Sequence, residues 1–205
     1  MEPVCLAAHD LACRRGDRIL FRGVSLRVEA GGALHLAGPN GIGKSSLIRI
    51  LAGLMRPYAG HVTRQGGVAL IDERLALDGH QPLGRALGFW RAIDGTLAGQ
   101  GDPFGLEDLF DVPVRYLSTG QKKRAGLARL AASGAPVWLL DEPLNGLDTG
   151  WALRAQEAIE AHRAGGGLVV IASHQPLGLA GIRTLVMADH VPPPHEDEEE
   201  EEDAA

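Results

Sequence analysis

Apolar and polar positions alternate in the first part of the chain and later give way to short, unbroken apolar runs. Val4 to Ala12 and Ser25 to Val28 read as strands; in the second, Leu26 and Val28 face one way and Ser25 and Arg27 the other. Arg14-Arg15-Gly16-Asp17 between them predicts a turn, and Ala30-Gly31-Gly32 another. Ala33 to Ala37 then predicts a short buried strand and Leu47 to Leu54 a helix. Arg56-Pro57-Tyr58-Ala59-Gly60 breaks the chain, His61-Val62-Thr63 reads as a short strand, and Val68 to Ile71 as a buried one ending at Asp72-Glu73.

From Leu75 to about Ala132 the strand pattern disappears. Leu83, Ala86, Leu87 and Trp90 have helical spacing, as do Leu106, Leu109 and Phe110, with Gly101-Asp102-Pro103 between the two groups. A third helix is expected from about Gln121 to Ala132, capped by Ser118 or Thr119. After Pro136, Val137 to Leu140 is a continuous apolar run, as in a parallel strand covered on both faces. Trp151 to Ala164 is helical and stops at Gly165-Gly166-Gly167; Leu168 to Ile171 is the next buried strand and Thr184 to Met187 a final short one. These elements predict one α/β domain over 1–191, with a mainly parallel sheet, an antiparallel β part at its N-terminal end and a helical insert at about 75–133.

Composition changes this picture little. Hydrophobic residues make up 45% of the 205, an ordinary globular share, but only 4% is aromatic, so aliphatic residues and Ala must build the core. The net charge of −6 is dominated by Glu196 to Asp203, leaving the rest of the chain close to neutral, which argues against a nucleic-acid partner. That acidic run, entered through Pro192-Pro193-Pro194, predicts a disordered tail over 192–205. Cys5 and Cys13 fit no metal spacing and read as thiols of a reducing compartment. No apolar run approaches the ~18 residues needed to cross a bilayer, and Met1-Glu2-Pro3 lacks the basic and apolar regions of a signal peptide. A cytoplasmic protein without direct membrane insertion is therefore expected.

The chemistry concentrates in Gly38-Pro39-Asn40-Gly41-Ile42-Gly43-Lys44-Ser45-Ser46, which fits G-x-x-x-x-G-K-[ST] between a predicted strand and a predicted helix. Glycines let the backbone turn its N–H groups toward an anion, and the following helix adds its positive end. Lys44 brings a full charge to the β- and γ-phosphates, and the Ser45 hydroxyl can ligate Mg²⁺. The motif says nucleoside triphosphate, not what the energy is used for. The apolar strand ending in Asp141-Glu142 puts two carboxylates at the C-terminal edge of the sheet: Asp141 suits Mg²⁺, directly or through water, and Glu142 suits activation of an attacking water. Ser118, Gly120 and Gln121 sit at a helix start, a second anion site or simply a capping turn. His174 follows the next buried strand, where it could hydrogen-bond a γ-phosphate, and Asp148 would otherwise pass as a helix N-cap.

In this order the pieces resemble the ATP-binding cassette family over roughly residues 3–190. Leu117 to Gln121 looks like its signature motif with Thr119 in place of the commoner Gly; Asp148 matches its D-loop and His174 its switch histidine. The resemblance implies ATP and Mg²⁺ as cofactors. It also implies a head-to-tail homodimer in which each ATP lies between the phosphate loop of one subunit and Ser118, Gly120 and Gln121 of the other. Two departures stand out. Where members carry a Gln after the strand at 68–71, Glu73 is the best match here, as a Mg²⁺ ligand, with Gln81 the second choice. Arg14-Arg15 stands where an aromatic residue usually stacks on adenine, and a guanidinium can stack on a base too.

The small size, Leu51 to Leu54, Gly120 to Leu130 and Ser173-His174-Gln175-Pro176 look like the ATP-binding subunits of bacterial haem exporters used in cytochrome c maturation. That resemblance implies integral membrane transporter subunits as partners, a peripheral place on the cytoplasmic face of the inner membrane, and ATP hydrolysis tied to haem export or release of haem from a chaperone. No haem-ligand pattern accompanies it. Two other classes share the motifs: the motor of an exporter of drugs, lipids or peptides, and a soluble, non-transport cassette ATPase. The last usually has two cassettes or a long coiled-coil insert, and neither occurs here.

Overall fold

The computed structural model describes residues 3–95, 102–175 and 177–193. Gly101 of the predicted break, Pro176 and the tail from Pro194 onward lie outside the described residues.

Strands β1 (Cys5–Arg15) and β2 (Arg18–Glu29) form an antiparallel hairpin, and β4 (Ala59–Gln65) pairs with the other edge of β1, giving the order β2-β1-β4. The hairpin is longer than the alternation predicts: the turn is confined to Gly16-Asp17, and β2 starts at Arg18, not Ser25. Bulges explain the difference. The β1–β2 register shifts between Ala8 and Leu11 and twice more before Arg14, so strict alternation is lost where the strands still pair. At the bulge Asp10 adopts φ 48°, and its N–H turns to the Ser25 hydroxyl at 2.9 Å.

The second sheet is parallel throughout, in the order β5-β6-β7-β3-β8, built from β3 (Ala33–Ala37), β5 (Val68–Ile71), β6 (Val137–Asp141), β7 (Leu168–Ser173) and β8 (Arg183–Val186). Every residue of β6 and β7 is buried, as their unbroken apolar sequences require. The side chains divide with period two. Val137, Leu139, Val170 and Ala172 pack with Leu6, Phe21, Leu47 and Ile50 on the side of the antiparallel sheet. Trp138, Leu140, Val169 and Ile171 pack with Leu127 and Ile159 on the other. Helix α1 (Lys44–Ala52) fills the space between the two sheets.

The segment between β5 and β6 holds α2 (Leu83–Asp94) and α3 (Thr119–Ala132), and the Arg129 guanidinium of α3 lies 3.9 Å from the ring centre of Trp90 on α2. The helix expected around Leu106, Leu109 and Phe110 is not formed. A single 3-10 turn spans Glu107–Leu109, closed by the Asp102 carboxylate, which accepts from the N–H groups of Leu106 and Glu107. Gly105 at φ 59° and Pro113 leave no room for a longer helix, and Phe104 and Leu106 act as buried anchors of a loop. Helix α4 (Thr149–Ala164) covers the sheet on the same side, and β8 ends in a 3-10 turn at Met187–His190 where the pattern continued the strand to Met187.

Gly60, at φ +84°, holds the start of β4 against the bulge: a Cβ there would meet the backbone oxygens of His9 and Asp10 at 2.4 Å. Gly60→Ala is expected to cost about 2 kcal/mol or more, since backbone cannot yield as a side chain can. A lowered urea midpoint with unchanged slope would register it.

Candidate active site

The C-terminal ends of β5 and β6 and the loop after β3 open into one cleft of about 700 Å³. Between β3 and α1 the chain makes the phosphate loop. Gly43 closes it at φ 109°, with no side-chain cap on α1, so the N–H groups of the first helical turn remain for an anion. A Cβ at Gly43 would also come 3.0 Å from Cδ1 of Phe21, so the loop rests directly on β2. Asn40, Gly41, Lys44, Ser45 and Ser46 line the cleft with Gly43. Ile42 turns its side chain into the core beside Gly38. Lys44 is only 5% exposed: its ammonium donates to the Gly38 and Pro39 carbonyls at 2.7 and 3.0 Å and lies 3.8 Å from the Glu142 carboxylate.

Asp141 is the last residue of β6, buried, and paired in register with Ala172. Its carboxylate lies close to the Ser45 hydroxyl, while Oδ1 has no partner. Burial lifts its pKa above the ordinary value; the Ser45 hydroxyl opposes this, and the charges of Glu142, Glu73 and Asp72 add to it. Glu142 follows in a left-handed conformation at φ 47°, pinned by its N–H to the Ala172 carbonyl at 2.9 Å. Its carboxylate turns to His174. Both oxygens lie 3.1 Å from Nδ1 of His174, which β7 delivers from the neighbouring strand.

Glu73 lines the cleft. Gln81 does not line it; its backbone carbonyl accepts from Val114 N–H at 3.1 Å. Asp72 pairs with Arg49 of α1 at 3.1 Å. Arg15 and Leu20 line one end of the cleft, whereas Arg14 lies over the Tyr58 ring at 5.0 Å, so only one of the two arginines faces a nucleotide.

Four sequence candidates are held differently. Ser118 and Gln121 form a reciprocal capping box at the start of α3: Gln121 N–H donates to Ser118 Oγ at 3.2 Å and Ser118 N–H to Gln121 Oε1 at 2.8 Å. Gly120 lets the following loop approach, since a Cβ there would meet the Gly146 carbonyl at 2.8 Å. Asp148 caps α4, accepting from Trp151 N–H at 3.0 Å. None of these four residues lines the cleft of its own chain. Conversely, Lys122, Lys123 and Asn145 line it without having been singled out by sequence, and Thr119, read there as a cap and a signature residue, lines it too. The Lys-Lys pair after Gln121 was the available signal; its burial was not legible.

The donor set matches a hard cation. A hydroxyl and an orphaned carboxylate oxygen at the mouth of a phosphate loop suit Mg²⁺. Among the described residues no three His, Cys, Asp or Glu gather as a metal cage, so the remaining ligands would be phosphate and water oxygens.

Fold and cleft together define a P-loop nucleoside triphosphatase. The family described as "ABC transporter" matches residues 21–145, more than half of the sequence. The chain belongs to the ABC transporter family, as an ATP-hydrolysing subunit. It is similar to the "Cytochrome c biogenesis ATP-binding export protein CcmA" of Novosphingobium aromaticivorans, 68% identical over 94% of this chain and 100% of the relative. The protein of the same name from Zymomonas mobilis is 51% identical over 91% of this chain and 86% of its own. Among solved structures, an ABC transporter ATP-binding protein from Pyrococcus furiosus superimposes with a TM-score of 0.79 at 19% identity, covering 92% of this chain and all of that one, and shares the fold.

Without Mg²⁺, Asp141 is a buried charge with one unsatisfied oxygen. Asp141→Asn is expected to raise the unfolding midpoint of the nucleotide-free protein by a few degrees, about 1–2 kcal/mol, while abolishing turnover. Because the folded-state pKa is raised, the protonated form is favoured on folding. The penalty is therefore absent below the unfolded-state pKa and grows as pH rises through the folded-state value. The gap between variant and parent should be widest at neutral pH and close on acidification; calorimetry across pH checks this.

Proposed function

We propose that this chain is the ATP-hydrolysing subunit of a cytochrome c biogenesis exporter, driving haem export or haem-chaperone release with integral membrane partner subunits at the bacterial inner membrane. The observation that carries the reading is the 68% identity along the full length of a relative with that name. No helix among the described residues is long and apolar enough to cross a membrane, so coupling to transport would run through those partners. The unit that works is the 1–191 domain, with the helical insert at about 75–133 as the side facing the membrane subunits.

The chemistry follows from the cleft. Backbone N–H groups of Gly41 to Ser46 hold the phosphates, and Lys44 leaves the Gly38 and Pro39 carbonyls for the β- and γ-phosphate oxygens. Mg²⁺, held by Ser45 and Asp141 with Glu73 nearby, supplies charge neutralisation on those oxygens. Glu142 orients and deprotonates the attacking water. Its oxygen bonds to the γ-phosphorus as the bond to the bridging oxygen breaks, releasing ADP and phosphate. His174, already against Glu142, donates to the γ-phosphate and holds the carboxylate in line. Ser118, Gly120 and Gln121 face away from this chain's own phosphates, so in our reading they serve a second copy, with Asp148 and the Gly146 turn at the contact. A head-to-tail dimer then closes on two ATP molecules and reopens on hydrolysis.

Lys44→Ala should lower turnover at least about a hundredfold. Glu142→Gln should leave ATP binding intact and trap an ATP-dependent dimer, visible by size-exclusion chromatography; a variant that stays monomeric with ATP and Mg²⁺ would overturn the role given to Glu142. Tagged protein solubilised from its native membrane should co-purify with integral membrane subunits of cytochrome c biogenesis. Recovery of a different transporter's membrane subunits would keep the ATPase and discard the haem reading.

A further inference from the structure

Helix α3 brings more to the cleft than its capped first turn. Two residues beyond Gln121, Lys123 is half-buried and lines the cleft together with Asp72, Glu73, Asp141 and Glu142. Three of the other cations nearby are committed, and Arg15 also lines the cleft. Lys44 donates to two loop carbonyls, Arg49 pairs with Asp72, and Lys122 reaches the Arg115 carbonyl at 3.3 Å. Among the described residues Lys123 makes neither a hydrogen bond nor a direct ion pair, and Glu73 makes no ion pair. Asp141 keeps its orphaned oxygen a residue away from Glu142. Four carboxylates, of which Asp72 is paired with Arg49 and Glu142 lies 3.8 Å from Lys44, thus share one cleft with a single uncommitted lysine.

Like charges in a partly desolvated space repel, and a cation several ångströms away relieves that without touching any one of them. The balance at Lys123 itself is consistent: burial pulls its pKa below the ordinary lysine value, and Asp141, Glu142, Glu73 and Asp72 push it back up.

We propose that Lys123 is a positioning residue, the standing counter-charge of the Asp72, Glu73, Asp141 and Glu142 cluster, which sets how strongly the site attracts a divalent cation. This rests on the assignment of Ser45 and Asp141 as the cation site. The ammonium occupies the field that Mg²⁺ would fill and prevents the empty site from scavenging cations without nucleotide. Because Lys123 shares a rigid helix with the Ser118–Gln121 cap, any displacement of that cap shifts a unit charge relative to the cation site.

The test is Mn²⁺ binding to the full chain without nucleotide, followed by electron paramagnetic resonance of free Mn²⁺. Lys123→Met and Lys123→Gln should each bind Mn²⁺ about three- to tenfold more tightly than the parent, the size expected of one unit charge removed from a partly hydrated site. Lys123→Arg, which keeps the charge, should stay within about twofold. Glu73→Gln should weaken binding by a similar factor, and Glu73→Gln with Lys123→Gln should return it toward the parent. A gain of cation affinity is a change that loosened packing would not produce. Should the lysine variants fail to fold, Glu73→Gln alone decides: unchanged binding overturns the proposal. Asp141→Asn separates the two layers. If it abolishes Mn²⁺ binding while the lysine variants match the parent, the counter-charge role is wrong and the cation site stands. If Asp141→Asn binds Mn²⁺ as the parent does, the site assignment fails and the proposal with it.

Discussion

Asp141 ends a fully buried strand with one carboxylate oxygen unpaired, and the surroundings of that charge account for much of the site. The strand cannot be moved outward, because β6 is covered on both faces and paired to β5 and β7. The carboxylate is therefore held at the inner edge of the cleft, where the Ser45 hydroxyl lies close to it. Everything around it works to tolerate that charge. Lys44 and Lys123 bring positive charge to the cleft, Asp72 is neutralised by Arg49, and Glu142 is turned aside onto His174.

Strain appears at the same place. Glu142 is one of two non-glycine residues at positive φ among those described, and it directly follows Asp141. A left-handed residue at a strand end costs of order 1–3 kcal/mol, and the hydrogen bond from its N–H to Ala172 helps to hold it. Had β6 simply continued, Glu142 would have projected to the opposite face of the sheet from Asp141. The strained turn lets both carboxylates serve one cleft, with separate partners. The other such residue, Asp10, marks the bulge in β1, where the antiparallel sheet bends around α1.

The capped start of α3 gives the molecule its asymmetry. Ser118 and Gln121 satisfy each other locally, so this turn is stable without a ligand, while its place outside the cleft leaves it to present the same backbone outward. In the proposed head-to-tail dimer this turn would complete the site of a second copy, and closure between copies would supply a conformational stroke.

Much of this was legible in the residues. The parallel strands announced themselves because strands buried on both faces need unbroken apolar runs, and Gly38 to Ser46, Asp141-Glu142 and His174 fall at their C-terminal ends. The phosphate loop and the Ser118 cap rest on local chemistry that spacing preserves. Three things needed tertiary structure. The length of the β1–β2 hairpin was hidden because bulges break the alternation on which strand reading depends. The apolar group at Leu106 and Phe110 had helical spacing but serves as anchors of a loop, since burial rewards apolar side chains whatever the backbone between them does. The burial of Lys123 among four carboxylates was invisible because those residues come from three separate segments of the chain, and electrostatics depends on distance in space. Sequence determined which groups the site contains; tertiary packing decided which of them share a field, because only the folded sheet brings β5, β6 and α3 to one cleft.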